Sequence, residues 1–165
     1  MKWNTRILLV LASATVAVSP ASVQAQVNYI YTTNNGALTI VSASGGGWGA
    51  GMLNIPGTNN GLPVVAMAPS VFTGNRWFTG IIITNGLTTI GDWNFVDFPV
   101  LTNVVLGSSV TNIGFYVFGR CPQLAQITVD PANPAFSSTG SVLFDQNQTT
   151  LIRLGLAAAG ANGIT

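Results

Sequence analysis

The sequence contains no histidine and no glutamate, and its only cysteine is Cys121. Without histidine the chain lacks the commonest general base and a frequent zinc ligand, and a single cysteine excludes an intrachain disulfide. The acidic residues are Asp92, Asp97, Asp130 and Asp145. We therefore predict that the protein is not an enzyme and has no catalytic residues, no cofactor and no metal site. A carbohydrate-active enzyme with paired carboxylates is the remote alternative.

Charged residues are also scarce, at 5% of the chain, compared with about 25% in typical soluble proteins. Lys2 and Arg6 lie at the extreme N-terminus, and the rest of the chain has three arginines against four aspartates, a net charge of −1. No basic patch is present, so nucleic acid is not predicted as a partner. Polarity comes from asparagine, threonine, serine and glycine, which is typical of a chain rich in strands and turns.

Residues 1–25 have the features of a secretory signal peptide. After a positively charged start, an apolar run at residues 7–19 ends at Pro20, and small residues precede a cleavage site after Ala25. An uncleaved anchor is the alternative, although the run is shorter than the roughly 20 residues that a membrane span needs. We expect a secreted or cell-surface protein that begins at Gln26, with no membrane span in the mature chain.

A sequence pattern recurs with a 23-residue period in the middle of the chain. Apolar or small residues occupy the same six positions of each copy, and three copies at one spacing indicate a solenoid of stacked repeats. The full copies are Ile90, Gly91, Phe95, Leu101, Val104 and Leu106, then Ile113, Gly114, Phe118, Leu124, Ile127 and Val129; the weaker copy is Met67, Ala68, Phe72, Phe78, Ile81 and Ile83. We expect short strands paired in parallel, about 4.8 Å apart.

Equivalent positions of the repeats predict the core as stacked columns. One column is Phe72, Phe95 and Phe118, and the next is Phe78, Leu101 and Leu124. Aromatic residues repeated at this spacing are more typical of a packed core than of a ligand cage. Cys121 falls in a column with Phe98, so we interpret it as a small buried residue rather than a reactive thiol.

The flanks of the repeats predict the domain layout. We expect capping strands and a hairpin at 26–66, three 23-residue repeats at 67–129, and a turn and hairpin after 130. Asn-Gly at Asn35 and Gly36 favours the tight turn of the first hairpin. In the segment 130–165, residues 162–165 resemble the start of a further repeat, which suggests a truncated chain whose open solenoid end could self-associate.

The repeats also resemble a known family. Its motif is followed by Ile113-Gly114, Phe118, Cys121, Leu124, Ile127 and Val129, and the copy at Ile90 departs from it in having Phe98 at the cysteine position. The chain therefore resembles bacterial surface leucine-rich-repeat proteins of the BspA type over most of residues 29–154. The resemblance implies a mainly β, right-handed leucine-rich-repeat solenoid in which short strands alternate with short helical or 3-10 turns. It also implies an exported protein. Members are associated with surface adhesion and protein binding, and the family as a whole has no fixed catalytic residues.

The sequence is compatible with three functions. The first is a non-catalytic module that binds a protein or glycan partner at the cell exterior. The second is a structural spacer, or a fragment of a larger surface protein, with no ligand of its own. The third is the remote enzymatic alternative. The candidate ligand face consists of outward strand positions and two stacked aromatic positions: Ile82, Asn103, Val105, Gln126 and Thr128, with Trp93 and Tyr116. β-Branched residues simply suit strands, and the aromatic pair could equally pack at a solenoid corner.

Overall fold

The computed structural model describes residues 27–47 and 51–154, so the predicted signal peptide and the predicted start of a further repeat at 162–165 lie outside the described residues. Within these ranges the chain forms strands joined by turns, and it contains no helix. In chain order the strands are β1 (Val27–Asn34), β2 (Ala37–Gly45), β3 (Gly51–Ile55), β4 (Thr58–Asn59), β5 (Leu62–Met67), β6 (Phe78–Ile83), β7 (Thr89–Ile90), β8 (Asn103–Leu106), β9 (Asn112–Ile113), β10 (Gln126–Val129), β11 (Phe136–Thr139), β12 (Val142–Asp145) and β13 (Leu151–Leu154). The mainly β fold is confirmed, whereas the segments expected as short helical or 3-10 turns are non-helical turns.

Two parallel sheets build the solenoid. The first has the order β1-β2-β5-β7-β9, and Ile40, Met67, Ile90 and Ile113 are register partners along its parallel part. The second has the order β3-β6-β8-β10, with Leu53, Ile81, Val104 and Ile127 in register. Each coil of the stack contributes one strand to each sheet, which makes four coils.

The first coil, formed by β2 and β3, extends the stack beyond the three repeats that the sequence pattern reveals. In the first sheet Ile40 pairs with Met67, and in the second Leu53 pairs with Ile81, so both separations in sequence are longer than one repeat. The other coils keep the 23-residue spacing. The longer connection, which includes the β4–β5 hairpin, removes this coil from the sequence period although it pairs like the others.

The predicted core columns are confirmed. Phe95 lies between Phe72 and Phe118, with ring centroids at 5.8 and 5.7 Å and interplanar angles of 25° and 16°. Phe78, Leu101 and Leu124 are buried in the same cluster. Cys121 is fully buried, and its thiol donates to the carbonyl oxygen of Phe95 at 3.0 Å, as expected for a core residue.

Antiparallel elements cover both ends of the stack. At the N-terminal end, the ring of Tyr29 in β1 lies edge-on to Phe72 at 6.2 Å, and its hydroxyl donates to the carbonyl of Asn54 at 2.7 Å. Burial, and then the neighbouring Tyr31, raise the pKa of Tyr29. Burial also raises the pKa of Tyr31. The β1–β2 hairpin thus closes the end of the phenylalanine column.

At the other end, the predicted hairpin is present as β12 and β13, and β11 adds a third strand to it. The amide of Ile127 in β10 donates to the carbonyl of Gly140 at 2.8 Å, and the amide of Val129 donates to the Ser138 hydroxyl at 3.2 Å. The outer edge of β10 is therefore paired with this segment.

Candidate binding surface

The turns that leave the first sheet repeat the same backbone conformation in successive coils. Ser70, Trp93 and Tyr116 have φ of 60°, 62° and 54°, and Gly74, Asp97 and Arg120 have φ of 76°, 61° and 54°. The left-handed region is uncommon for residues other than glycine. Its recurrence at 23-residue intervals shows that the stack imposes the conformation, irrespective of residue type. Sequence reasoning missed these positions because glycine, its usual signal, occupies only one of them.

Hydrogen bonds between coils hold these turns. The amide of Trp93 donates to the carbonyl of Phe115 at 3.0 Å, and the amide of Asp97 donates to the carbonyl of Gly119 at 3.0 Å. Asn94 is fully buried beneath them, where its Oδ1 accepts from the amide of Val71 at 3.1 Å. The backbone that positions the outer side chains of these turns is thus hydrogen-bonded to the neighbouring coil.

Three exposed aromatic side chains meet on the turns of the third and fourth coils. We call Trp93, Phe115 and Tyr116 the aromatic cluster. Trp93 lies 5.6 Å from Phe115 and 5.7 Å from Tyr116 between ring centroids, and the Phe115 and Tyr116 rings are stacked at 5.8 Å. Their exposed fractions are 44%, 68% and 41% in that order. The structure therefore brings the predicted pair, Trp93 and Tyr116, together on the surface.

Phe115 is the member of the cluster that sequence reasoning missed. The equivalent positions of the preceding coils hold Pro69 and Asp92, so a large apolar residue outside the core columns was the available signal. Its amide donates to Asp92 Oδ1 at 2.7 Å, which anchors the backbone of the exposed ring. The ring of Tyr116 lies against Gly119, where a Cβ atom would collide with it.

A groove of about 390 Å³ lies on the same series of turns. We call it the arginine groove, and its lining residues are Arg76, Asp97, Pro99, Arg120 and Pro122. The Nε atom of Arg120 lies 2.8 Å from Asp97 Oδ1, and 71% of the arginine side chain is exposed. Exposed ion pairs of this kind contribute little to stability, so the pair is free to exchange partners.

The predicted strand face lies on the second sheet. Ile82, Val105 and Thr128 are register partners, as are Asn103 and Gln126. Ile82, Asn103 and Val105 are half-buried. Gln126 and Thr128 are exposed and joined by a hydrogen bond of 3.3 Å between Nε2 and Oγ1. The alternation of inward and outward side chains is confirmed, and the role of this face in binding stays a prediction.

The aspartates have local partners. Asp92 and Asp97 are engaged as described above, and Asp130 Oδ1 accepts from the amide of Ala132 at 2.8 Å. Asp145 accepts from the hydroxyl of Thr149 at 2.6 Å and from the amide of Thr150 at 2.9 Å, and these bonds lower its pKa. In the part of the chain that the structure describes, no three cysteine, histidine or acidic side chains are grouped as metal ligands would be. No helix within 27–47 and 51–154 is long and apolar enough to span a membrane.

Comparisons with known proteins place these features in a family. The family model "BspA type Leucine rich repeat region" matches residues 64–155 with six copies. No match was found among curated proteins. The pneumococcal vaccine antigen PcpA is similar in structure, with 15% identity over 78% of this chain and 54% of that chain, and a TM-score of 0.43.

Two further solved structures are similar. A leucine-rich cell surface protein of Faecalibacterium prausnitzii A2-165 has 14% identity over 83% of this chain and 63% of that one, with a TM-score of 0.39. A leucine-rich repeat protein of Eubacterium ventriosum ATCC 27560 has 17% identity over 81% and 49%, with a TM-score of 0.35. The chain thus spans less than two thirds of each of these structures.

Proposed function

The chain belongs to the BspA-type leucine-rich repeat family, and from this premise we propose that it is a non-catalytic protein-binding module that acts in adhesion at the cell exterior. The aromatic cluster is its contact surface in this proposal. The expectation of export rests on the predicted signal peptide at residues 1–25. N-terminal sequencing of protein recovered outside the cell should begin at Gln26, and a product that begins at Met1 would contradict it.

The exposure of the aromatic cluster is the observation that carries the proposal. Phe115 is 68% exposed to solvent, although the same chain buries Phe72, Phe95 and Phe118 in its core. Exposed apolar surface that is contiguous rather than scattered is typical of interaction sites. Aromatic side chains also dominate the binding energy of protein interfaces, because they bury a large area with few rotatable bonds.

The geometry of the cluster favours an apolar side chain of a protein as its ligand. Trp93 is inclined by 64° to Phe115 and by 58° to Tyr116, so the three rings form a wedge and not one flat surface. A sugar ring stacks best on a flat aromatic face, whereas a wedge offers both faces and edges to an aliphatic or aromatic side chain. Hydrogen bonds to the neighbouring turns hold the backbone of Trp93 and Phe115 before any partner binds.

Binding of the protein to immobilised extracellular-matrix proteins and polysaccharides tests the proposal. Phe115→Ala and Trp93→Ala should each lower the affinity of a protein hit at least about tenfold, as expected for interface hot spots. Val105→Asp is the control on the strand face and should leave that affinity within about twofold. Circular dichroism and melting temperatures confirm that each variant is folded.

The other outcomes discriminate between the alternatives. A hit that is lost in Val105→Asp but kept in the two aromatic variants would place the contact on the strand face. A hit confined to polysaccharides would replace the protein partner by a glycan. A folded sample that binds nothing in the panel would contradict the proposal and favour a structural spacer.

A further inference from the structure

The arginine groove concentrates positive charge in a chain that has little of it. Arg76 and Arg120 are two of only five basic residues in the whole sequence, and both line this groove. They lie on the turns of the second and fourth coils, with Pro99 between them on the third. Because neighbouring coils are about 4.8 Å apart, the two arginine backbones are separated by about 10 Å along the stack. Two side chains of this length can converge on one ligand group.

Both guanidinium groups have N–H donors that are not used in bonds to the described residues. Arg120 uses Nε on Asp97 Oδ1 at 2.8 Å, which leaves its terminal nitrogens without a hydrogen-bond partner among the described residues. Arg76 has neither an ion pair nor a hydrogen bond within residues 27–47 and 51–154. The groove therefore presents more donors than its own acceptor, Asp97, can satisfy.

We propose that the arginine groove binds carboxylate groups of an acidic peptide segment in the protein partner. The inference rests on the proposed function, because it specifies the chemistry of the same partner. The planar guanidinium group of arginine can donate two parallel hydrogen bonds to a carboxylate. Arg120 already pairs with the carboxylate of Asp97 in this groove. Pro99 and Pro122 supply apolar surface beside the charges, against which the aliphatic part of an acidic side chain can pack.

The groove adjoins the aromatic cluster. The ring of Tyr116 lies against Gly119, and Gly119 directly precedes Arg120 in the chain. A single extended segment of the partner can therefore place an apolar side chain on the cluster and a carboxylate in the groove. Combinations of aromatic residues with arginine are those enriched at the energetic centre of protein interfaces.

A dense polyanion fits this surface less well than a peptide with separate carboxylates. Beyond residues 1–25 the chain carries three arginines and four aspartates, and Asp92 and Asp97 lie on the turn of the third coil, between the turns that carry Arg76 and Arg120. Sulfated glycans and nucleic acids are bound by extended positive surfaces that neutralise many charges at once. Here the groove holds two of these three arginines, together with Asp97.

Titration by nuclear magnetic resonance tests the proposal with the peptide (Gly-Glu)4, and with (Gly-Gln)4 as its neutral control. The acidic peptide should cause saturable amide shifts grouped around Arg76 and Arg120, and the neutral peptide should not. Arg76→Gln and Arg120→Gln should each raise the Kd about threefold to fivefold, as expected when an exposed charge pair is lost. A wild-type protein that shows no saturable shifts, or shifts elsewhere on the surface, would overturn the proposal.

Asp97 allows a test in the opposite direction. Asp97→Asn removes the carboxylate that competes for Arg120, so the Kd of (Gly-Glu)4 should fall about twofold to fivefold. Asp130→Asn changes the net charge equally but lies outside the groove, and it should change the Kd by less than about twofold. Equal effects of the two variants would mean that overall charge, and not the groove, attracts the peptide.

Failure of this inference can be told apart from failure of the proposed function. If a protein partner loses affinity with Phe115→Ala but not with Arg76→Gln or Arg120→Gln, the module binds through its aromatic cluster and the groove has no role. A heparin octasaccharide that binds more tightly than (Gly-Glu)4, with the same dependence on both arginines, would overturn the peptide ligand in favour of a sulfated glycan.

Discussion

Replacing Phe95 by alanine tests the stacked core directly. Its side chain is fully buried, and its ring contacts Phe72, Phe98 and Phe118 at centroid distances of 5.8, 5.8 and 5.7 Å. Truncation removes the apolar transfer energy of the ring and leaves a cavity that three neighbouring phenylalanines cannot close. Such changes cost about 3–5 kcal/mol, which includes about 0.5–1.5 kcal/mol for each aromatic pair. Since a domain of this size is stable by about 5–15 kcal/mol, the loss is a large part of the total.

Phe115→Ala is the matched control, because it makes the same chemical change at a residue that is 68% exposed. Its free energy of unfolding should fall by no more than about 1 kcal/mol, because only its exposed contacts with Trp93 and Tyr116 are lost. Urea unfolding at equilibrium measures both variants, followed by far-ultraviolet circular dichroism and by tryptophan fluorescence. The two probes are needed because stacked repeats can unfold in parts, and coincident curves justify a two-state free energy.

Thermal melting gives an independent comparison. A loss of about 3–5 kcal/mol should lower the melting temperature of the Phe95 variant by about 10 °C or more, while the Phe115 variant should melt within about 4 °C of the wild type. A cost below about 1 kcal/mol for Phe95→Ala would refute the stacked phenylalanine column. Equal costs for both variants would refute the assignment of Phe95 to the core and Phe115 to the surface.

Three further predictions concern the turns. Asn133→Ala should cost about 2–4 kcal/mol in urea unfolding, because the fully bonded amide group satisfies two backbone carbonyls and two backbone amides at 2.8–2.9 Å; an unchanged midpoint would contradict this. Gly91→Ala should cost about 1–3 kcal/mol in the same assay, since its Cβ would lie 2.7 Å from the backbone of Ala68. Asp145 has a pKa lowered from 3.8, so the stability that its bonds to residues 149–150 contribute is present above that pH and is lost as the pH falls through the folded pKa. The amide shifts of residues 149–150 should therefore titrate with a midpoint below 3.8, and a midpoint at or above that value would contradict the role of these bonds.

The family and the stacked core could be predicted because both depend on periodic sequence signals. The 23-residue spacing of Phe72, Phe95 and Phe118 predicts a column, and the structure stacks these rings. The turn of the first hairpin could also be predicted, from the residue types at its two central positions. Asn35 and Gly36 adopt φ of 49° and 79° between β1 and β2, as expected of Asn-Gly in a hairpin.

Features outside the period escaped prediction for identifiable reasons. The first coil departs from the spacing because Leu53 pairs with Ile81 across a longer stretch of chain than one repeat, so β3 could be read as a strand but not as a member of the stack. β11 lacks a strong apolar run, since its sequence is Phe136 followed by serine and threonine, and it is a strand because β12 pairs with it. Such strands form because another strand pairs with them in the tertiary structure, and the local β-propensity of their residues does not predict that pairing.

The candidate site shows the same division. Sequence spacing placed Trp93 and Tyr116 one coil apart and left open whether they pack at a corner or face solvent. The structure shows that they contact each other, remain 44% and 41% exposed, and are joined by Phe115. Exposure depends on the direction of the side chain at the turn, and that direction follows from a left-handed backbone that glycine did not signal.

The sequence by itself therefore determined the repeat length, the inward columns and the turns of the β1–β2 and β12–β13 hairpins, because each depends on residues that are close in the chain or equally spaced along it. Only the tertiary structure decided which side chains meet outside the core. Arg76, Asp97 and Arg120 share one groove because coils that are distant in sequence lie side by side in space. The aromatic cluster and the arginine groove arise from this stacking, in which hydrogen bonds between coils set the conformation of the turns.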